Sequence, residues 1–235
     1  MQINSQLCID CGDCLVYCPV DAIIEKEKTF INSKECVECG VCHRADICPT
    51  DAFVLEVHSW PRSLRAIFSD PGVEHSETGI AGRGTEEIKT NDVTHRYKKG
   101  QVNLSLELGR PGVGVFFTDV EKVTRAMAKF GAHFEPCNPV FSLLIDSGSG
   151  SLNKEILHEK VMSVVIEVNI GIDELSDLLK YIYTIEQSFA SPCSLNICSL
   201  LNEDGSIPYE NIIKKMGLTL SENGKLNIGI GHTMP

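Results

Sequence analysis

The chain reads as α+β in two unlike parts: a short N-terminal unit built round cysteines, then a sandwich of β-α-β-β-α-β order. Three observations say so. Eight of the eleven cysteines fall between Cys8 and Cys48, inside a stretch that is duplicated. From residue 101 onward, apolar residues alternate strictly at Val102, Leu104, Leu106 and Leu108, then switch to helical spacing at Val120, Val123 and Met127. Strand, helix and strand then recur in outline, which is the order of a split βαβ sandwich.

The totals exclude several classes. Hydrophobic residues make up 43% and charged residues 23% of 235, a composition ordinary for a globular chain with a real core. No apolar run approaches the roughly 18–20 residues that span a bilayer. MQINSQLC has neither a basic start nor an apolar stretch, so no signal peptide is expected. A cytoplasmic location follows as an expectation, and there dense cysteines mean metal or redox chemistry rather than disulfides. The net charge of −11 argues against a nucleic-acid partner, whose phosphates require a basic face. By segment the charge is −6 over 1–57, +1 over 58–100 and −6 over 101–235.

The repeat sets the register of the N-terminal part. INSQLCIDCGDC at 3–14 matches INSKECVECGVC at 31–42, an offset of 28. CPVDAI and CPTDAF also match, at an offset of 30, so the second copy carries a two-residue insertion within HRADI. Cys8, Cys11, Cys14 and Cys18 followed by Pro19 have the C-x2-C-x2-C-x3-C-P spacing of iron–sulfur proteins. A C-x2-C-x2-C loop can present three thiolates to one face of a cubane, so the fourth has to come from elsewhere. Zinc suits this pattern poorly, because it takes paired C-x2-C knuckles a dozen or more residues apart. Gly12 and Gly40 follow the second cysteine of each loop, where a missing side chain lets backbone N–H groups approach cluster sulfurs.

Residues 1–57 resemble the bacterial-type dicluster 2(4Fe–4S) ferredoxins, including the INS before each first cysteine and the P-x-D-A after each last. The resemblance implies two 4Fe–4S clusters, each taking its fourth ligand from the other half. On that pattern Cys8, Cys11, Cys14 and Cys48 hold one cluster, and Cys36, Cys39, Cys42 and Cys18 the other. The C-x5-C step from Cys42 to Cys48 departs from the simplest pattern and places His43, Arg44 and Asp46 beside one cluster only. A tolerated surface insertion and a device that tunes one cluster both remain open readings.

Residues 58–100 are of different material. An apolar patch around Trp60, Ile67 and Phe68 ends at Pro71-Gly72, and a polar, glycine-rich stretch follows. It reads as a linker or strap. Within it Gly82, Arg83, Gly84 and Lys89 form a candidate anion site, since glycine N–H groups and two cations suit a phosphate or carboxylate. The motif is neither a Walker loop nor a dinucleotide fingerprint.

In the unit from 101 to 235, Thr118 and Glu121 have capping-box spacing ahead of a helix that should stop at Gly131. PVFSLLI at 139–145 and KVMSVVIEV at 160–168 read as strands, with SGSGS between them as a turn. A helix beginning at Asp173 should bury Leu175, Leu178, Leu179, Ile182 and Ile185. SLNICSLL returns as a strand, 208–216 as a short helix, and Asn223-Gly224 as a hairpin turn. In outline this unit is similar to ACT-type ligand-binding domains. Cys137, Cys193 and Cys198 read as ordinary buried cysteines, and no catalytic set can be picked out.

The expected function is therefore electron transfer: two clusters passing single low-potential electrons to or from a partner redox protein or oxidoreductase complex. The alternatives are a ligand-sensing regulatory iron–sulfur protein, or a subunit of an anaerobic oxidoreductase that binds a small anionic substrate. The sequence favours a carrier or subunit over a stand-alone enzyme.

Overall fold

The computed structural model describes residues 1–79, 81, 97–110 and 113–220. The expected hairpin at Asn223-Gly224 and the candidate anion residues Gly82, Arg83, Gly84 and Lys89 lie outside them.

The duplication is visible in the backbone. Strand β1 (Gln2–Ile3) precedes the first cysteine loop, which ends in a 3-10 turn at Leu15–Tyr17. Then come β2 (Ile23–Glu25), β3 (Thr29–Ile31), a one-turn helix α1 (Val41–Arg44) and β4 (Phe53–Val54). The pairing crosses between the copies. β1, which opens the first copy, pairs antiparallel with β4, which closes the second, while β2 and β3 join the end of the first copy to the start of the second. Equivalent bonds continue each ladder: Asn4 N–H donates to the Ala52 carbonyl and Asn32 N–H to the Ala22 carbonyl, both at 2.8 Å. The asparagine of each INS then accepts from its own loop, through Oδ1 from Gln6 N–H and from Lys34 N–H. These are Asx turns, and they turn the chain from strand into cysteine loop.

The second unit is built on β5 (Gln101–Leu108). After it come β6 (Val115–Phe116), α3 (Phe117–Lys129), β7 (His133–Phe134), β8 (Leu144–Asp146) and β9 (Ser151–Leu152). The chain continues through β10 (Lys160–Val161), β11 (Val164–Gly171), α4 (Leu175–Glu186), β12 (Cys193–Cys198) and α5 (Glu210–Lys215). Four strands form one antiparallel sheet in the order β12-β5-β11-β7, with Leu108 opposite Val164 and Val102 opposite Ile170. Strand side chains alternate between faces. One face therefore carries Val102, Leu104, Leu106 and Leu108 with Val164, Ile166, Val168 and Ile170, all buried with the apolar stripes of α3 and α4. Each such side chain contributes about 1.5–3 kcal/mol by leaving water.

Helix α3 stops at Gly131, as its sequence predicts, with φ at +71°. Helix α4 buries Leu175, Leu178, Leu179 and Ile182, while Ile185 is half-buried and a 3-10 turn at Ile172–Glu174 precedes it.

Two local expectations are corrected. Residues 139–145 are not a sheet strand. They form a 3-10 turn at Phe141–Leu143 leading into β8, and the fourth sheet position goes to the two-residue β7. Pro139 has no N–H for a ladder. Asn138 Oδ1 accepts from Val140 N–H at 2.9 Å, curling the run, although Val140 and Leu143 are still buried. The apolar run was packed as a turn, an ambiguity inherent to short runs. Nor is there a capping box. Thr118 lies inside α3, whose first N–H groups are satisfied by the Glu159 and Leu157 carbonyls, and Glu121 Oε1 accepts from Leu152 N–H at 3.2 Å.

The SGSGS stretch closes the β8–β9 turn against α3. A side chain at Gly150 would come within 2.2 Å of the Thr124 carbonyl oxygen, and the Thr124 hydroxyl donates to the Gly150 carbonyl at 2.6 Å. Only glycine permits that approach.

Between the units lies α2 (Ser63–Ser69), the front of the segment expected as linker or strap. Its Leu64 and Phe68 are 1% exposed and belong to the core of the second unit, Phe68 standing edge-on to Phe117 at 5.6 Å. Met162, from the second unit, packs instead on the small core of the first, with Val20, Ala22 and Val37.

Candidate metal centre

The crossed pairing of the two copies brings thiols together across the duplication. One hollow of about 360 Å³ is lined by Cys8, Cys11, Cys14 and Cys48, with Ile3, Ile9 and Phe53 among its apolar walls. A second, of about 330 Å³, is lined by Cys18, Cys36, Cys39 and Cys42, with Val20 and Ile31. Each hollow thus receives three thiols from one loop and one from the end of the other copy.

Four thiols set round each apolar-walled hollow suit a cluster. Zinc would need four sulfurs about 2.3 Å from a single point. A cubane instead takes one thiolate at each of four irons, so its ligands stand apart round a volume. Backbone donors are already aimed at sulfur in both copies: Ala22 N–H donates to Cys18 Sγ at 3.1 Å and Ala52 N–H to Cys48 Sγ at 3.3 Å. Such N–H groups stabilise a thiolate and tune the metal it holds.

The thiols differ in their surroundings. The Ala52 N–H, aided by Thr50, holds the Cys48 thiol below its ordinary value. Burial pushes Cys36 up to about 11 and Cys42 up to about 12, and raises Cys39 and Cys14 as well. Four apolar-walled thiols do not ionise side by side without cations among them, and the irons of a cluster would supply those cations. The second hollow is the more enclosed of the two: Cys39 there is buried, whereas Cys11 of the first is exposed.

The loops hold their shape through a paired set of left-handed residues. Asp10 and Glu38 have φ of 54° and 56°, Gly12 and Gly40 have 78° and 69°, and Asp21 and Asp51 both have 51°. Such residues are uncommon outside glycine, and here they recur at the repeat offset. At Gly40 a side chain would meet Arg44 Nη1 at 2.5 Å.

That contact bears on the two-residue insertion. It falls at the end of α1, where Arg44 turns back so that Nη2 donates to the Cys39 carbonyl at 2.5 Å, while Nη1 donates to both carboxylate oxygens of Asp70 at 2.9 Å. Arg44 ties the inserted loop to the end of α2.

The second hollow is further held by groups the sequence did not single out. Glu38, whose side chain is 7% exposed, accepts from the amino group of Met1 at 2.6 Å and from Arg62 Nη2 at 2.5 Å. Burial works against its charge, and the two cations prevail and leave its carboxyl below the ordinary range. Lys160 Nζ donates to Glu35 at 2.5 Å from the second unit. Arg62 stands three residues before Arg65 on a segment read as linker, which offered no periodic signal strong enough to place either side chain.

Of the remaining cysteines, Cys193 and Cys198 are partly buried, and burial raises both thiols. Cys137, expected to be buried, is exposed, because it sits in the turn that Asn138 directs rather than in a strand.

A family model described as a 4Fe–4S dicluster domain matches residues 1–88. That stretch is a dicluster ferredoxin segment, covering the cysteine repeat, α2 and the start of the glycine-rich stretch. A dicluster domain implies two 4Fe–4S clusters, and the eight cysteines from Cys8 to Cys48 fit them. It also supports an iron–sulfur electron-transfer role. Neither a curated protein nor a solved structure matches the chain. No helix among the described residues is long and apolar enough to cross a membrane.

Proposed function

We propose that this is an electron-transfer protein with crossed cluster ligation. Cys8, Cys11, Cys14 and Cys48 hold one 4Fe–4S cluster, and Cys36, Cys39, Cys42 and Cys18 the other. The observation that carries the reading is the division of the eight thiols between two apolar-walled hollows, three and one from opposite copies. When bound, each cluster supplies a one-electron couple. The chain's own residues supply its ligands, N–H donors to Cys18 and Cys48, and apolar walls.

The partner is a redox protein or oxidoreductase complex, and the acidic charge of residues 1–57 suits a basic docking face. We read the second unit as a split βαβ sandwich, supported by its strand order and by helices that follow β5 and β11. Its place is structural: it buries α2, packs Met162 on the small core of the first unit, and pairs Glu159 with Arg65 and Lys160 with Glu35. We place the chain in a reducing compartment such as the cytoplasm, where eleven cysteines stay as thiols or metal ligands.

The test is anaerobic reconstitution. About eight irons and eight sulfides per chain, with two one-electron reduction steps that bleach the visible absorption, are expected. A colourless product, or one that carries zinc in place of iron, refutes the assignment.

A further inference from the structure

The duplication gives each ligand an internal control, and one comparison breaks its symmetry. Cys36 and Cys39 of the second loop correspond to Cys8 and Cys11 of the first. Arg65 Nη1 donates to the Cys36 carbonyl at 2.6 Å, and to the Ser33 and Lys34 carbonyls at 3.1 Å. Its Nε donates to Glu159. The Cys39 carbonyl accepts from Arg44. Among the described residues no side chain donates to the carbonyl of Cys8 or Cys11.

We propose that Arg65 is the residue through which the C-terminal unit sets the reduction potential of the second cluster, making the two clusters unequal. The inference rests on the ligand assignment above. Its physics is elementary. A cluster held by four thiolates is an anion that gains a further negative charge on reduction, so a fixed cation nearby favours the reduced state.

Other charges near the second hollow form ion pairs as Arg65 does: Glu38 with Arg62 and Met1, Glu35 with Lys160, Asp70 with Arg44. Water screens several of them, since Arg44 is 46% exposed and Arg62 26%. Arg65 is 5% exposed and Glu159 14%, so this pair acts at low dielectric. Its geometry is also directional: the guanidinium touches a ligand cysteine's own carbonyl, while the carboxylate lies on the side of the second unit. Because Leu64 and Phe68 of the same helix are anchored in the second unit's core, that unit fixes where the cation sits.

The experiment is a redox titration of the full chain followed by electron paramagnetic resonance, comparing wild type with Arg65→Met, Arg65→Lys and Glu159→Gln, with iron counted in each. One of the two midpoints should fall in Arg65→Met, by a shift of order tenfold in the one-electron equilibrium (about 59 mV). The same midpoint should rise in Glu159→Gln, which leaves the cation unopposed, and stay near wild type in Arg65→Lys. The other midpoint should not move. A merely structural tie would shift Arg65→Met and Glu159→Gln in the same direction, or strip iron from both, and either result overturns the proposal. So do midpoints that move together or not at all. If Arg65→Met loses a cluster, Glu159→Gln alone decides by its sign. A wild type lacking two one-electron steps overturns the cluster assignment with it; a normal wild type with unmoved variants overturns only the role of Arg65.

Discussion

Crossed ligation makes a prediction about pairs of substitutions that no uncrossed arrangement shares. Replacing one thiol of a four-thiol hollow removes a quarter of one cluster's ligands, so Cys18→Ala and Cys36→Ala should each leave about four irons per chain instead of about eight. Cys18 and Cys36 line the same hollow although they come from opposite copies. The double variant Cys18→Ala/Cys36→Ala should therefore lose no more than either single, at about four irons. Cys18 and Cys14 are four residues apart in sequence but line different hollows. Cys18→Ala/Cys14→Ala should accordingly fall to nearly none. Effects of residues that act as a unit are non-additive, while independent sites add, and iron counting reads the difference directly. The assay is iron and labile sulfide per chain after anaerobic reconstitution, with the visible spectrum as a second measure. The reasoning is refuted if the pair Cys18 and Cys36 adds while the pair Cys18 and Cys14 does not.

Two further predictions concern the second unit. Phe68→Ala empties a site 1% exposed between the α2 segment and Phe117, and should cost about 3–5 kcal/mol, read as a lowered guanidinium midpoint by circular dichroism; a loss below about 1 kcal/mol would mean that α2 does not pack in that core. Thr118→Ala should change stability by less than about 0.5 kcal/mol, whereas Glu121→Ala, which strands the Leu152 N–H, should cost about 1–2 kcal/mol in the same assay; the reverse ranking would restore the capping box.

The difference between what was legible in the chain and what was not has identifiable causes. The cysteine spacing is a local constraint written in consecutive residues, so the sequence alone groups the thiols into two loops. The alternation in β5 and the stripes of α3 and α4 were equally legible, because each is a period of two or 3.6 carried by one element. The run at 139–145 misled because seven residues cannot separate strand from buried turn, and the decision belonged to Asn138 and Pro139. Thr118 and Glu121 had the spacing of a cap, but carbonyls of Leu157 and Glu159, some forty residues away, reached the helix start first.

Sequence by itself determined the iron–sulfur character of the first unit, the duplication within it and the α+β alternation of the second, since all are set by neighbours along the chain. Tertiary structure alone decided that α2 belongs to the second core, that the inserted turn aims Arg44 at Cys39, and that Arg65 is buried against Cys36 and Glu159. Those contacts join residues 5 to 94 positions apart. A buried ion pair depends on which surfaces meet when two units pack, and no periodicity within either unit records that meeting.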